Sequence, residues 1–183
     1  KGKAEEYLLS ETSSFCNVTI FRPSIVFGES DSFFNKFATL LKIFPIFPLA
    51  CPHSKFMPVY VEDLTDHMID NIGNIKTYNT KIDVTGPNEY TFRELIEHTL
   101  QALKIKRVII PLNNFLSKIQ ARVFQNLPGK LFTMDNYQSL QVDSCSDDGF
   151  KGSSSLEDII PQYLNIKTKQ RRFEKLRKRS GRR

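Results

Sequence analysis

The chain has 183 residues, of which 40% are apolar, 11% aromatic and 25% charged, a composition that excludes a disordered or collagen-like chain and fits a domain with a buried core. Its longest apolar run, residues 43–51, is broken by Pro45 and Pro48, far short of the roughly 20 apolar residues of a membrane-spanning helix; Cys16, Cys51 and Cys145 are too widely spaced for a disulfide framework or a Cys-based zinc site and suit a reducing compartment. The net charge of +6 belongs to the C-terminus: residues 167–183 hold ten basic side chains and one acid, a net of +9, so the preceding 166 residues carry −3.

Residues 3–12 read as a helix in which Tyr7, Leu8 and Leu9 supply a buried stripe. Residues 17–21 are rich in β-branched side chains and read as a strand running into Arg22-Pro23. Residues 24–28 leave it, and Gly28 marks a turn. Asp31 is placed to cap a helix in which Phe33, Phe34, Phe37, Leu40 and Leu41 recur at helical spacing. Pro45, Pro48 and Pro52 end that helix in a loop, and residues 56–61 are extended. Glu62 and Asp63 fall in the first turn of a helix whose apolar face is Leu64, Met68, Ile69 and Ile72 and which Gly73 stops.

Residues 81–85 alternate as a strand that ends at Gly86-Pro87. Thr91 followed by Glu94 forms a capping box for a helix with Leu95, Ile96, Leu100 and Leu103 on its apolar face. A short strand over 108–110 is closed by Pro111, an amphipathic helix covers 115–124, and a further helix covers 133–142. Residues 147–155 are a polar Gly/Ser linker and 156–164 a last short helix. Strands alternating with helices predict an α/β chain with a largely parallel sheet. The expected division is a folded part over 1–164 and a basic tail over 165–183.

Little chemistry is visible in the residues themselves. Gly149 and Gly152 lie at the wrong spacing for a phosphate loop, in a polar segment with no strand before it. His53, His67 and His98 are far apart, and a satisfied or exposed imidazole accounts for the two helical ones. Glu62, Asp63 and Asp66 form a carboxylate cluster, for which complementing the helix dipole is the simpler role. Ser24 follows a strand but lacks the Gly-x-Ser-x-Gly elbow of a nucleophile.

Five phrases in order carry a resemblance. Lys1-Gly2-Lys3-Ala4-Glu5 resembles the Lys-x-x-(Ala/Gly)-Glu that follows the active-site Tyr of extended short-chain dehydrogenases/reductases. The stretch 18–28, with Arg22-Pro23-Ser24 and Phe27-Gly28, is similar to their Arg-Pro-Ser-x-x-(Phe/Tyr)-Gly phrase. Asp31 to Asn35 with Phe37-Ala38, then Pro58-Val59-Tyr60-Val61-Glu62-Asp63, then Thr85-Gly86-Pro87-Asn88-Glu89-Tyr90-Thr91 follow. The set is similar to atypical members of that family, the dehydrogenase-like accessory subunits of respiratory complex I and their bacterial relatives, over residues 1–164.

The resemblance implies the C-terminal portion of a Rossmann-like, NAD(P)-binding fold of the epimerase/dehydratase type. Lys1 would be the lysine that lowers the pKa of the catalytic Tyr and contacts the nicotinamide ribose, with the Tyr and the Gly-rich turn upstream of it. Pro23, Ser24 and Ile25 would lie on the nicotinamide side of the cofactor, at the C-terminal end of a parallel strand. The expected cofactor is NAD or NADP in the complete protein and none for this chain alone. The first reading is a nucleotide-binding accessory protein without activity of its own. The alternatives are half of a sugar-nucleotide epimerase, dehydratase or reductase, and an interaction module whose tail binds anionic surfaces. Expected partners are the complementary N-terminal half or a respiratory-complex partner, with weak contact of the tail to anionic membrane or nucleic acid. The compartment would be the cytoplasm of a bacterium, peripheral to its inner membrane in one version, or the mitochondrial matrix.

Overall fold

The computed structural model describes residues 2–12, 16–124 and 134–164, so Lys1 and the basic tail lie outside the described residues. In chain order the elements are α1 (Gly2–Thr12), β1 (Thr19–Pro23), β2 (Val26–Phe27), α2 (Phe33–Ile43), β3 (Ile46–Leu49), β4 (Lys55–Phe56), β5 (Val59–Tyr60) and α3 (Val61–Asp70). After a 3₁₀ turn at Ile75–Thr77 come β6 (Thr80–Thr85), β7 (Tyr90–Thr91), α4 (Phe92–Leu103), β8 (Val108–Pro111), α5 (Asn114–Phe124), α6 (Met134–Ser139), β9 (Phe150–Lys151) and α7 (Leu156–Leu164).

The main sheet has the order β1-β6-β9 and is parallel throughout. Thr19 pairs with Thr80 and Pro23 with Val84, so α3 lies on the crossover between the two strands. β2 pairs with β5 and β3 with β8, both parallel, while β4 and β7 are antiparallel. The α/β class with parallel strands, expected from the sequence, is the class observed.

Side chains alternate across the sheet, and its two faces differ. Phe21, Ile82 and Val84 join Val26, Val59, Leu64 and Phe150 in an apolar cluster that α3 covers. The opposite face carries Arg22, Lys81 and Asp83, and α1 is tied to it by charge. The Glu5 carboxylate accepts hydrogen bonds from the Arg22 guanidinium and lies 3.6 Å from Lys81 Nζ. Those cations hold the Glu5 carboxyl below its ordinary range, the Arg22 hydrogen bond being the largest influence.

The larger core lies where α2, α4 and α7 meet. Phe34, Leu41, Leu95, Ile96, Leu156 and Ile160 are each at most 2% exposed, and each contributes about 2 kcal/mol of burial. Phe37 meets Phe33 and Phe92 edge to face at 4.9 and 5.5 Å between ring centroids, and Phe33 and Phe92 lie tilted to each other at 6.0 Å. Both predicted caps are present. Asp31 Oδ1 accepts from the Phe34 N–H at 2.6 Å, and Thr91 and Glu94 exchange the two bonds of a capping box.

Four expectations need correction. The proline-rich stretch after α2 is a strand, β3, not a loop. Val108 N bonds to Pro45 O and Leu112 N to Leu49 O, so odd positions face β8 and Pro48 presents its missing N–H to the unpaired edge, where proline is tolerated. The polar linker contains β9, which Gly149 makes possible: at φ +103°, a Cβ there would sit 2.2 Å from Asp83 O. The apolar face of α3 is not wholly buried, since Met68, Ile69 and Ile72 are exposed and only Leu64 is inside. Nor does α1 bury its stripe, since Tyr7 and Leu8 are exposed.

Candidate functional site

Pro23, Ser24 and Ile25 lie together at the C-terminal end of β1, beside the end of β6. Ser24 N donates to Val84 O at 3.0 Å, and Ile25 O accepts from Val59 N at 2.9 Å. The Ser24 hydroxyl donates to Ser144 O at 2.8 Å and accepts from Met57 N at 3.3 Å. One side chain thus ties together three segments that are far apart in sequence. Gly86 completes the junction: its N–H donates to Met57 O at 3.0 Å, and a Cβ there would sit 1.7 Å from Pro58 O. Lys1 lies outside the described residues.

The rim of this junction is charged. Lys55 Nζ is 2.9 Å from Glu89 Oε1, and Lys55 N donates to Asp143 Oδ1 at 2.8 Å. Cys145 sits beside Glu89, and burial, reinforced by the Glu89 charge, pushes its thiol up to about 11. It is therefore protonated at neutral pH and a poor nucleophile. With its proton already donated to a carbonyl, Ser24 is equally unsuited to attack.

The described residues do not by themselves fit the pyrophosphate of a dinucleotide. Such a group is held by free N–H groups at a helix N-terminus behind a Gly-rich turn. Here Asp31 covers the start of α2, Glu62 and Asp63 fall in the first turn of α3, and the Thr91–Glu94 box closes α4. Gly149 packs on Asp83 and Gly152 on Asp63. Asp63 accepts from Ser153 N, Ser154 N and Ser154 Oγ at 2.8–2.9 Å. It anchors the loop between β9 and α7, while Glu62 and Asp66 are exposed. Asp63 is thus a structural carboxylate that holds the loop before α7, in addition to standing with Glu62 in the first turn of α3.

Two other polar groupings escaped the sequence. An open cleft of about 730 Å³ lies at the C-terminal ends of β3 and β8, lined in part by Cys51, His53, Ser54, Asn113 and Gln141. Between α4 and α7, Tyr90 donates to Glu157 at 2.8 Å, and His98 Nε2 lies 3.5 Å from the same carboxylate. Burial above all pushes the Tyr90 phenol up to about 12; the hydrogen bond from Asn88 opposes the rise and the Glu157 carboxylate adds to it. Glu157 stands 67 positions from Tyr90 and 59 from His98, and Gln141 stands 90 from Cys51, so no local motif could have revealed either grouping. His67 stacks on Phe150 at 3.8 Å, and burial lowers its pKa, as befits a packed histidine.

No protein-family profile matches the chain. It is 23% identical over 163 residues to NADH dehydrogenase [ubiquinone] 1 alpha subcomplex subunit 9, mitochondrial, of Dictyostelium discoideum, covering 87% of this chain and 45% of that protein. The subunit of the same name from Rattus norvegicus is 26% identical over 157 residues, covering 84% of this chain and 41% of that protein. Among solved structures, a nucleoside-diphosphate-sugar epimerase of Pseudomonas aeruginosa superposes with a TM-score of 0.62 at 11% identity, over 94% of this chain and 54% of that one. The dTDP-glucose 4,6-dehydratase of Streptomyces venezuelae, solved with NAD and TYD bound, gives 0.60 at 14% identity, over 97% and 50%. The chain spans less than half the length of the curated relatives it matches. It is a relative of the complex I alpha subcomplex subunit 9 proteins, built on about half of the Rossmann-like fold of these epimerases and dehydratases.

Proposed function

We propose that this chain is the C-terminal half of a dehydrogenase-like, nucleotide-binding accessory protein of the complex I type, and that it scaffolds a dinucleotide without turning it over. The junction at the end of β1 carries the reading. It offers a rigid strand end for the nicotinamide side of NAD or NADP, yet its one hydroxyl is committed to Ser144 O and supplies no acid or base. In the complete protein Lys1 would contact the ribose and Pro23, Ser24 and Ile25 the nicotinamide side, while the pyrophosphate would be held by the complementary half. The relatives named as mitochondrial subunits support a mitochondrial setting and a respiratory-complex partner. Among the described residues no helix is long and apolar enough to cross a membrane; weak contact with an anionic membrane is assigned to the basic tail on its charge.

Calorimetry with NADH and NADPH tests this. The chain alone is expected to show no binding, and the chain assembled with its complementary half to bind without catalysing hydride transfer. Micromolar binding by the lone chain, or turnover by the assembly, refutes it. A second reading, half of a sugar-nucleotide enzyme, draws on the polar cleft at the ends of β3 and β8. Binding of a nucleoside-diphosphate sugar there would favour it over the first.

A further inference from the structure

The β3–β8 pair turns one apolar face to the core and another to solvent. The parallel register sets Ile46 beside Val108 and Pro48 beside Ile110, and side chains alternate along each strand. Phe47, Leu49 and Ile109 accordingly belong to the larger core, while Ile46, Val108 and Ile110 are 54%, 60% and 45% exposed. The end of α2 runs into this outer face with Ile43 and Phe44, both exposed. α5 borders it on the free side of β3, where Gln120 Nε2 donates to Pro48 O at 2.9 Å. The polarity of α5 is inverted for a surface helix. Its inner side holds Ser117, wholly buried with no partner for its hydroxyl, and Gln120, whose Oε1 is also buried and unpartnered. Its outer side carries Phe115, Leu116 and Ile119, all exposed.

Charge is segregated onto the same face. Segments 32–54 and 98–124, which build it, hold seven Lys or Arg and no Asp or Glu, whereas the rest of the first 166 residues carries a net −10. Arg107 donates to Leu41 O and Lys42 O, which gathers Lys42, Lys106 and Arg107 at the start of the strand pair, and Lys118 and Arg122 follow on α5. Contiguous large apolar side chains ringed by cations are the anatomy of an interaction surface. We infer that this β3–β8/α5 face docks a protein partner whose contact patch is apolar and rimmed by Asp and Glu. Other occupants meet physical objections. The basic tail, or the same face of a second copy, brings like charge. Nucleic acid offers charge but nothing to cover Ile46, Ile110 and Phe115. Val108 N and Leu112 N bond to β3, so Ile109 N–H points away from it, where no strand pairs with β8 among the described residues; a protein or water can satisfy that group and hydrocarbon cannot. The complementary half of the fold would meet the main sheet, whose apolar cluster is separate from the core under this face.

The test uses the full chain and a labelled synthetic amphipathic peptide of about 18 residues, five helical turns, with a leucine stripe flanked by glutamates. Its lysine-for-glutamate counterpart and phosphatidylserine vesicles serve as controls. Fluorescence anisotropy should show binding of the glutamate peptide that fades as salt is raised and is at least about tenfold tighter than binding of the lysine peptide. Two double variants at exposed sites separate the contributions. Ile110→Ser/Phe115→Ser should weaken the glutamate peptide at least about tenfold through lost apolar contact, and Lys106→Glu/Lys118→Glu by a similar factor through charge. Ile72→Ser, exposed and outside this face, should change nothing. Binding indifferent to both double variants would place it on the tail, which every variant keeps, and overturn the inference. Equal affinity for the two peptides, no binding of either, a dimer that Ile110→Ser/Phe115→Ser dissolves, or vesicle binding removed by that same variant would each overturn it too. The inference deepens the partner reading above and not the dinucleotide one, so failure here leaves the calorimetry with NADH and NADPH to decide the latter.

Discussion

Removing the Ser24 hydroxyl measures whether the end of β1 is a structural junction. Ser24→Ala deletes one hydrogen bond outright, the 2.8 Å donation to Ser144 O. It also deletes the weaker 3.3 Å acceptance from Met57 N. Met57 N lies as well 3.3 Å from Ser144 O, so each former partner keeps the other. No buried group is then orphaned, and the loss is that of an ordinary bond, about 1 kcal/mol. Had both partners been stranded, the cost would approach about 3 kcal/mol. For a chain of this size about 1 kcal/mol lowers Tm by about 2–4 °C. Urea unfolding at high dilution, followed by circular dichroism, reads the shift in midpoint at constant slope. A loss near zero would show that the hydroxyl's partners are water, and one of about 3 kcal/mol that Met57 and Ser144 do not compensate each other.

Gly149→Ala places a Cβ 2.2 Å from Asp83 O at a φ of +103°. It should cost about 3 kcal/mol in urea unfolding and free β9 from β6, with raised amide exchange at Phe150 and Lys151. The Tyr90 phenol, raised from an ordinary 10.0 to about 12, favours the folded state while protonated. Its stabilisation should be complete below pH 10 and lost as the pH climbs toward 12; Tyr90→Phe should flatten that decline, and an unchanged slope would refute the assignment. Cys16 is exposed, whereas burial raises the thiols of Cys51 and Cys145. Iodoacetamide at pH 8 should therefore label Cys16 first, as read by mass spectrometry of the peptides. Deleting residues 167–183 should abolish salt-sensitive binding to phosphatidylserine vesicles, since each basic residue near an anionic surface is worth about 1 kcal/mol. Binding that survives the deletion would assign it to the folded part.

The elements that the sequence announced are those held by local chemistry. Asp31 and the Thr91–Glu94 box place the starts of two helices because a cap needs only a side chain and an N–H three positions on. The alternation of residues 81–85 marks β6, whose apolar side chains face one side of the sheet. Periodicity likewise marked the face of α4 that is buried, with Leu95, Ile96 and Leu100 inside. The order of five short phrases located the fold, and the similarity to the complex I subunits and the superposition on the epimerases agree with it. The rest was decided by contacts between distant segments. Pro48 sits in a strand because β8, 60 residues later, pairs with its neighbours and not with its own nitrogen. Phe150 and Lys151 form β9 because Gly149 turns the chain against Asp83 and β6 is there to receive it. Ser24 is a structural hub because Met57 and Ser144, 33 and 120 positions away, converge on its hydroxyl. The face of α3 remains partly bare for the same reason. Periodicity states that Met68, Ile69 and Ile72 can be buried together, but only the tertiary arrangement determines whether anything in the chain reaches them.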